Sequence, residues 1–362
     1  MTGIITEIVA LSPGSVEEPR DSSAPISPSS LLPKAGITLA PGIPTERVPE
    51  YSVDQFNYVS TQGGVKQWNL IADKANMYNQ EKLVHARQVK ALLYDPDGKI
   101  TTVTGQEAKF LMNKRDLEIY GNVKTVMPDG FEIHSQYMRY LPNERLINIP
   151  PTEPVDGVGK DESGQVLAFN SYGMHYAMEK SEIILPSRVQ MVVDKPESAP
   201  KSVQTSTDSP PPSSKTKVES DHCVIYRDRK LAHFTMNAGR SLSTRFVKVT
   251  QPTLFSKGRT ADVNYGDLGG PPGKNKLLNY LILHDDVLIE EKTADGSMRY
   301  GTGGQADFDA VRNLVVLRHF PQVYQNHDTV TGDVIVLHRD TDVVEIEHSN
   351  AFSEGEESPA AQ

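Results

Sequence analysis

The chain has 362 residues, of which 37% are hydrophobic, 25 are proline and one is cysteine, and its formal net charge is −10. This length predicts two domains or one large one, and the clustered prolines with low apolar content predict disordered segments around folded units. The acidic charge argues against binding to nucleic-acid phosphates or, through charge, to anionic membranes, and one cysteine excludes an intramolecular disulfide.

The N-terminal segment, residues 1–46, is rich in Pro, Ser, Gly and Glu and has no apolar periodicity, which predicts a disordered tail. No part of the chain has the roughly 18 consecutive apolar residues of a membrane-spanning helix. The first residues lack the basic start of a signal peptide. We therefore expect neither an anchor nor a signal to be visible in this sequence.

In residues 47–195, apolar and polar side chains alternate in several runs, as they do in half-buried β-strands. Leu117, Ile119 and Val123 occupy odd positions, with polar residues between them. Turn signals such as Asp-Pro-Asp-Gly and Pro-Asp-Gly separate these runs, and no amphipathic helix pattern is found. The segment predicts a meander of antiparallel strands.

Residues 196–219 contain clustered prolines among Ser, Thr and Lys, which predicts a disordered linker. The β pattern returns over 220–350, and the acidic end at 351–362 predicts a frayed tail. A weak internal repeat relates Gly121-Asn122-Val123 in the first β domain to Asp286-Val287 in the second, each followed by a hairpin turn. This repeat indicates two copies of one β design.

The second β domain resembles the OstA-like module of the lipopolysaccharide-transport protein LptA. The resemblance is carried by an ordered set of motifs: Gly-Thr-Gly-Gly-Gln-Ala-Asp-Phe-Asp at 301–309, Leu-Val-Val-Leu at 314–317, Pro321, Gly-Asp-Val-Ile at 332–335 and Val-Val-Glu-Ile at 343–346. One departure is His319-Phe320, which stands where the family has a glycine before the proline.

The first β domain resembles the periplasmic domain of LptC. The motifs are Trp-Asn-Leu-Ile-Ala-Asp-Lys-Ala at 68–75, Gly-Asn-Val at 121–123, the stretch 129–140, and a closing hairpin pair within 166–193. Together the two resemblances cover about three quarters of the chain. The chain therefore resembles a fusion of an LptC-like domain with an LptA/OstA-like domain.

The resemblance implies an all-β fold of two tandem, open, V-shaped antiparallel β-jellyroll modules joined by the Pro/Ser-rich linker. It implies a periplasmic protein, associated with the inner membrane, that takes lipopolysaccharide from an inner-membrane ABC transporter and relays it towards the outer membrane. The implied partners are lipopolysaccharide, that transporter, and LptA-like or LptD-like jellyroll modules that pair by their edge strands.

Alternate residues of such strands point into the trough, where they would contact lipid A acyl chains. The predicted lipid-binding residues are Trp68, Leu70, Ala72, Leu117, Ile119, Val123, Phe131 and Ile133 in the first domain, and Val315, Leu317, Ile335, Leu337, Val344 and Ile346 in the second. The alternative is that these side chains fill a closed β-sandwich core.

Edge strands near the two ends are expected to dock neighbouring modules through β-augmentation. The predicted interface residues are Val53, Phe56, Val59, Val343, Glu345 and Glu347. We also expect the two domains to join by pairing of the strand near 183–193 with the strand near 223–226.

An enzyme is the main competing class. The glycine-rich stretch 301–304 is not followed by a helix pattern, so it is not a dinucleotide loop. Asp307 and Asp309 alternate with apolar residues, and Glu290-Glu291 forms a charged pair, so all four are interpreted as solvated faces. We therefore predict no catalytic site, no metal site and no cofactor. A ligand-free periplasmic or surface β-scaffold that assembles by edge-strand pairing stays open as the alternative function.

Overall fold

The computed structural model describes residues 49–160, 166–194, 215–264, 280–310, 312–326, 328–348 and 350–353. The tail predicted at 1–46 lies outside these ranges. Within them the chain consists of antiparallel β-strands with two short 3-10 helices, at Met178–Lys180 and Leu242–Thr244. The predicted all-β class with tandem antiparallel jellyroll modules is confirmed.

Long strands form the first half as a meander in which consecutive strands pair. They are β1 Tyr51–Gln62, β2 Val65–Tyr78, β3 Leu83–Tyr94, β4 Ile100–Leu111, β5 Asp116–Val126, β6 Glu132–Leu141, β7 Leu146–Lys160 and β8 Val166–Ala177. Buried and exposed side chains alternate along them because successive residues of a strand point to opposite faces.

The remaining strands are mostly shorter. They are β9 Glu182–Leu185, β10 Val189–Asp194, β11 Thr216–Ser220, β12 His222–Tyr226, β13 Leu231–Thr235, β14 Val247–Thr250, β15 Leu254–Gly258, β16 Thr260–Asn264, β17 Tyr280–Lys292, β18 Met298–Asp309, β19 Leu314–Arg318, β20 Gln322–Gln325, β21 Asp328–Thr331, β22 Val334–His338, β23 Val344–Glu347 and β24 Asn350–Ser353. The exceptions in length are β17 and β18, and the first two of these strands, β9 and β10, complete the first half.

Several long strands bend near the middle, where backbone angles enter the left-handed region. Gly121 and Asn122 in β5 have φ of +74° and +47°, and the pairing of β5 with β6 shifts register there. Asp285 and Asp286 occupy the same place in β17, with φ of +58° and +49°. Such bulges bend a strand. The repeat seen in the sequence thus falls on two equivalent bends.

The bends divide the strands between two layers. β17 illustrates this division. Its first half pairs with β16, as in the pair of Tyr280 with Asn264, and its second half pairs with β15, as in the pair of Leu288 with Lys257. Layer 1 contains one half of each long strand and the short strands β9, β12, β13, β16, β19, β22 and β23. Layer 2 contains the other halves and β10, β11, β14, β15, β20, β21 and β24.

The two layers face each other across one core. The ring of Trp68, in layer 2, meets the ring of Phe110, in layer 1, with centroids 4.9 Å apart and planes at 74°. A single cluster of buried apolar side chains extends from Phe56 on β1 to Leu337 on β22. This arrangement is a two-layered antiparallel jellyroll with an apolar interior along its length.

The two halves of the chain are joined by strand pairing in both layers. In layer 1, β9 pairs with β12 and places Leu185 opposite Cys223. In layer 2, β10 pairs with β11 and places Met191 opposite Val218. The pairing predicted between the strands near 183–193 and 223–226 is confirmed, and each layer continues from the first half into the second.

Two predicted domain boundaries differ from the strand positions in the structure. The linker predicted at 196–219 overlaps β11, which begins at Thr216, and the tail predicted from 351 overlaps β24. β11 has a single buried apolar residue, Val218, so its strand character comes from pairing with β10 and β14 rather than from local pattern. Residues 195–214 of the linker region and 354–362 of the tail lie outside the described ranges. In the part of the chain that is described, no helix has the length and apolar character needed to cross a membrane.

Candidate functional site

The predicted inward residues of the first half lie in the interior. Trp68, Leu70, Leu117 and Ile119 are fully buried, and Ala72, Val123 and Ile133 are nearly so. Phe131 is partly buried and packs against this cluster. Its ring stacks on Phe169 of β8 with centroids 5.8 Å apart. The period-two prediction therefore placed each of these side chains on the correct face.

The predicted inward residues of the second half also point to the interior. Val315 and Leu317 on β19 and Ile335 and Leu337 on β22 are fully buried. Val344 and Ile346 on β23 are partly buried and pack against the core. Their partial exposure follows from position, because β23 pairs with β22 alone among the described strands.

Interior residues at the junction were missed by the sequence reasoning. Cys223, Phe234 and Leu185 are fully buried, and Phe169 nearly so. Burial raises the pKa of the Cys223 thiol well above its usual range, which keeps it protonated and unreactive. The alternation of Cys223 with Ile225 was the available signal, but β12 is only five residues long. These side chains make the interior continuous between the two halves.

Glu291 contradicts the prediction of a solvated acidic pair. It lies on β17 with its side chain 5% exposed, between two arginines. Arg299, 1% exposed, donates to Glu291 Oε2 from Nη2 at 2.7 Å, and Arg339 donates to Oε1 from Nε at 2.8 Å. The interpretation of Glu291 as solvated is wrong because two arginines hydrogen-bond its buried carboxylate: Arg299, directly opposite on the adjacent strand β18, and Arg339, in the turn after β22.

Asp309 is a second correction. It is buried, and it accepts hydrogen bonds from the Tyr280 hydroxyl at 3.0 Å and from the backbone N–H of Arg312 at 2.9 Å. Asp307 is half-buried and accepts from Arg318 Nε at 3.3 Å. Both acids brace β18 against its neighbours, so neither forms the simple solvated face that the alternation indicated.

Edge strands remain at the two ends of the described jellyroll. β1 pairs with β2, β23 with β22 and β24 with β21, and each has one described neighbour. On β1, Phe56 is buried, Val53 is half-buried and Val59 is exposed. At the other end, Glu345 and Glu347 on β23 are exposed, and Val343 is exposed just before that strand begins. The predicted interface residues thus lie at both ends.

Comparisons with known proteins relate the first half to one protein family. A family model described as "Lipopolysaccharide-assembly, LptC-related" matches residues 29–194. The resemblance of the first half to LptC is confirmed, and the match begins within the tail predicted at 1–46. Proteins of this family are non-enzymatic and periplasmic, and the match supports a role for this chain in lipopolysaccharide transport across the periplasm.

Among solved structures, the chain is similar to the crystal structure of LptH, the LptA homologous periplasmic component of the conserved lipopolysaccharide transport device from Pseudomonas aeruginosa. The sequence identity is 16% and the TM-score is 0.32, over 39% of this chain and 96% of that chain. No curated protein matches the chain in sequence. The resemblance of the second half to an LptA-like module stays a prediction.

Proposed function

We propose that the protein binds lipopolysaccharide through its acyl chains in the interior of the jellyroll and relays it from an inner-membrane ABC transporter towards the outer membrane. The observation that carries this proposal is the single apolar cluster, which runs through both halves and across the junction. A carrier for several acyl chains needs such a surface, because each buried CH₂ contributes about 0.8 kcal/mol.

Acyl chains would enter by replacing contacts between the two layers. In the second half most of the buried apolar side chains are aliphatic, among them Leu317, Ile335 and Leu337, with Phe234 and Phe308 as aromatic exceptions. Exchanging aliphatic contacts for acyl contacts changes little apolar area, so it costs less than opening a polar interface. At the β1 end, Tyr58, Trp68 and Phe110 form an aromatic group with centroids about 5 Å apart. We infer that loading displaces side chains more readily away from this aromatic group.

The proposed partners dock at the edges. β1 offers an edge for the transporter side, and β23 offers one for an LptA-like or LptD-like module. An added strand pairs through backbone hydrogen bonds, so it extends a layer without needing a matching sequence. This docking would continue the apolar interior from one protein to the next, and it is consistent with inner-membrane association of the β1 end.

Removal of β23 tests the outgoing edge. Deleting residues 343–348 is expected to abolish end-to-end assembly and to leave the first half folded, because β23 pairs only with β22 in the described chain. Glu345→Pro is the milder variant, since Glu345 lies opposite Val336 with its N–H towards β22, so proline weakens the pairing that holds β23 in place; Glu345→Gln is its control. Assembly is measured by chemical cross-linking of the purified protein. Unchanged multimers in both the deletion and Glu345→Pro would contradict this docking edge.

A ligand-free scaffold is the alternative function. It is supported by the packing of interior side chains against one another, as Trp68 packs on Phe110. Photoreactive residues at interior positions separate the two functions. Lipopolysaccharide adducts at those positions support the carrier, and their absence in a folded, exported protein supports the scaffold.

A further inference from the structure

One long side of the jellyroll is closed without a covalent link between the layers. The strands bend at their middles on the opposite side, so their turns meet here. We call this side the seam and define it by layer 1 turns at 142–145, 227–230 and 339–343 and layer 2 turns at 63–64, 127–131, 251–253 and 293–297. A molecule that enters the interior sideways must pass between these two rows of turns.

Three arginines in layer 1 turns cross the seam. Arg145 donates from Nη2 to Gln67 Oε1 at 3.3 Å. Arg227 donates from Nη2 to Asp129 Oδ2, and from Nη1 to the Tyr176 hydroxyl at 3.1 Å. In the second half, Arg339 donates to Glu291, to Gln251 Oε1 at 3.0 Å and to Thr253 Oγ1 at 3.4 Å. Each arginine thus ties a turn of one layer to a strand end of the other.

These closures differ in strength. In the second half, the buried pair of Glu291 and Arg299 joins the bonds of Arg339, and the backbone N–H of Ala294 donates to Asp342 Oδ2 at 3.1 Å. The Glu291–Arg299 pair lies wholly in layer 2, so opening the seam breaks the bond of Arg339 to the buried Glu291 carboxylate, and removing one partner of a buried ion pair is strongly unfavourable. In the first half, Gln67 is uncharged and the Asp129 side chain is 56% exposed. Exposed ion pairs contribute little to stability, so the seam opens at lower cost beside Gln67 and Asp129. We call this part the first-half seam, although Arg227 itself follows β12 of the second half.

The surroundings of Arg227 suit the headgroup of an anionic lipid. The Arg227 guanidinium lies over the Tyr176 ring, 5.7 Å from its centroid, which holds the guanidinium in place. Two residues before it on the same chain, Ile225 is buried in the interior. A ligand held at Arg227 by a phosphate therefore has apolar surface beside it for its acyl chains.

We propose that the seam at Arg227 and Asp129 is the lateral entry for an acylated, phosphorylated lipid, that Arg227 binds the lipid phosphate in place of Asp129, and that the Glu291 network keeps the second-half seam closed. The inference rests on the proposed carrier function. A guanidinium group donates hydrogen bonds to carboxylate and to phosphate oxygens alike, and Arg227 uses Nη2 for Asp129 while Nη1 donates to Tyr176. The phosphate therefore replaces the carboxylate without leaving Arg227 unpaired while the layers separate.

The two partners of this ion pair are expected to act in opposite directions. Asp129→Asn removes the competing carboxylate and should tighten equilibrium binding of purified lipopolysaccharide about threefold to tenfold, whereas Arg227→Gln should weaken it by at least as much. Asp97→Asn, an exposed acid in another layer 2 turn, is the control and should change nothing. With dephosphorylated lipopolysaccharide both effects should disappear.

The outcomes separate the inference from the proposed function. Changes of the same sign in Asp129→Asn and Arg227→Gln would overturn the inference, as would equal effects on dephosphorylated lipid. Inorganic phosphate that binds Arg227 as tightly as the lipid would also overturn it, by assigning the site to the free ion. If the unaltered protein binds no lipopolysaccharide, the carrier function fails and the inference fails with it.

Tethering the seam tests where it opens. In a Cys223→Ala background, Pro128→Cys with Asp228→Cys places a cleavable bis-maleimide across the first-half seam, and Ala294→Cys with Thr341→Cys does so across the second. All four positions are exposed and leave the bridging residues intact. The first tether is expected to reduce lipopolysaccharide loading at least tenfold until it is cleaved, and the second to leave loading within about twofold. Equal loading of the two tethered variants would overturn a first-half lateral entry.

Discussion

Replacing Glu291 with alanine is expected to lower the free energy of unfolding by about 3–5 kcal/mol, because it leaves two arginines in the interior without their shared anion. Arg299 is almost fully buried, and it keeps only weak contacts to Asp342, whose carbonyl lies 3.4 Å from Nη1 and whose Oδ1 lies 3.9 Å from Nη2. Arg339 keeps Gln251 and Thr253, so most of the loss arises at Arg299.

Glu290→Ala is the matched control. Glu290 is the neighbour of Glu291 on β17, points to the other face and is half-buried, so its loss should cost less than about 1 kcal/mol. Urea unfolding of the two variants measures the difference. Equal, small effects would show that the arginines of this network find other partners, and the closure of the second-half seam would then have to be attributed to apolar packing.

Breaking the junction is expected to uncouple the two halves. β12 pairs with β9 on one side and β13 on the other, so each backbone N–H in its centre donates to one of them. Val224→Pro removes such a donor and introduces a clash, at a cost of about 3 kcal/mol or more. Because Val224 points outward and is half-buried, Val224→Ala is the control for its side chain.

Trp68, the single tryptophan of the chain, reports on the first half alone. In the unaltered protein, we expect tryptophan fluorescence and far-ultraviolet circular dichroism to follow one unfolding transition, since both layers continue across the junction. In Val224→Pro the circular dichroism should show two steps, of which fluorescence follows one. One shared transition in the variant would mean that β10 and β11 alone couple the halves.

The inward faces were predictable from sequence because period two is a direct consequence of strand geometry. Leu117 and Ile119, or Val315 and Leu317, sit two residues apart in strands long enough for the alternation to be read. The prediction weakened where strands are short. β11 has only Val218 as a buried apolar residue, and because the strand follows a proline-rich segment, its residues were assigned to the linker.

The polar closure of the seam was not predictable from local pattern. Glu291 reads as a solvated acid beside Glu290, and its partners lie 8 and 48 residues away in the chain. Likewise, Asp129 lies in a hairpin turn, and its partner Arg227 is 98 residues further on. Such pairs form only where the two layers approach each other. The bends of the strands determine where the layers meet, and the alternation along a single strand does not.

The central claim is that lipopolysaccharide acyl chains occupy the interior, and site-specific photo-cross-linking in cells tests it most directly. A photoreactive residue replaces Leu70 in the first half or Leu317 in the second, both fully buried. Ile71, 38% exposed on the same strand, and Arg318, exposed beside Leu317, are the outward controls.

The carrier account predicts lipopolysaccharide adducts at Leu70 and Leu317 and none at Ile71 and Arg318. Adducts at both interior sites would support one continuous path through the junction, since the two positions lie in different halves. Absence of adducts from all four positions, in a protein that is folded and exported, would contradict the account and favour a ligand-free scaffold.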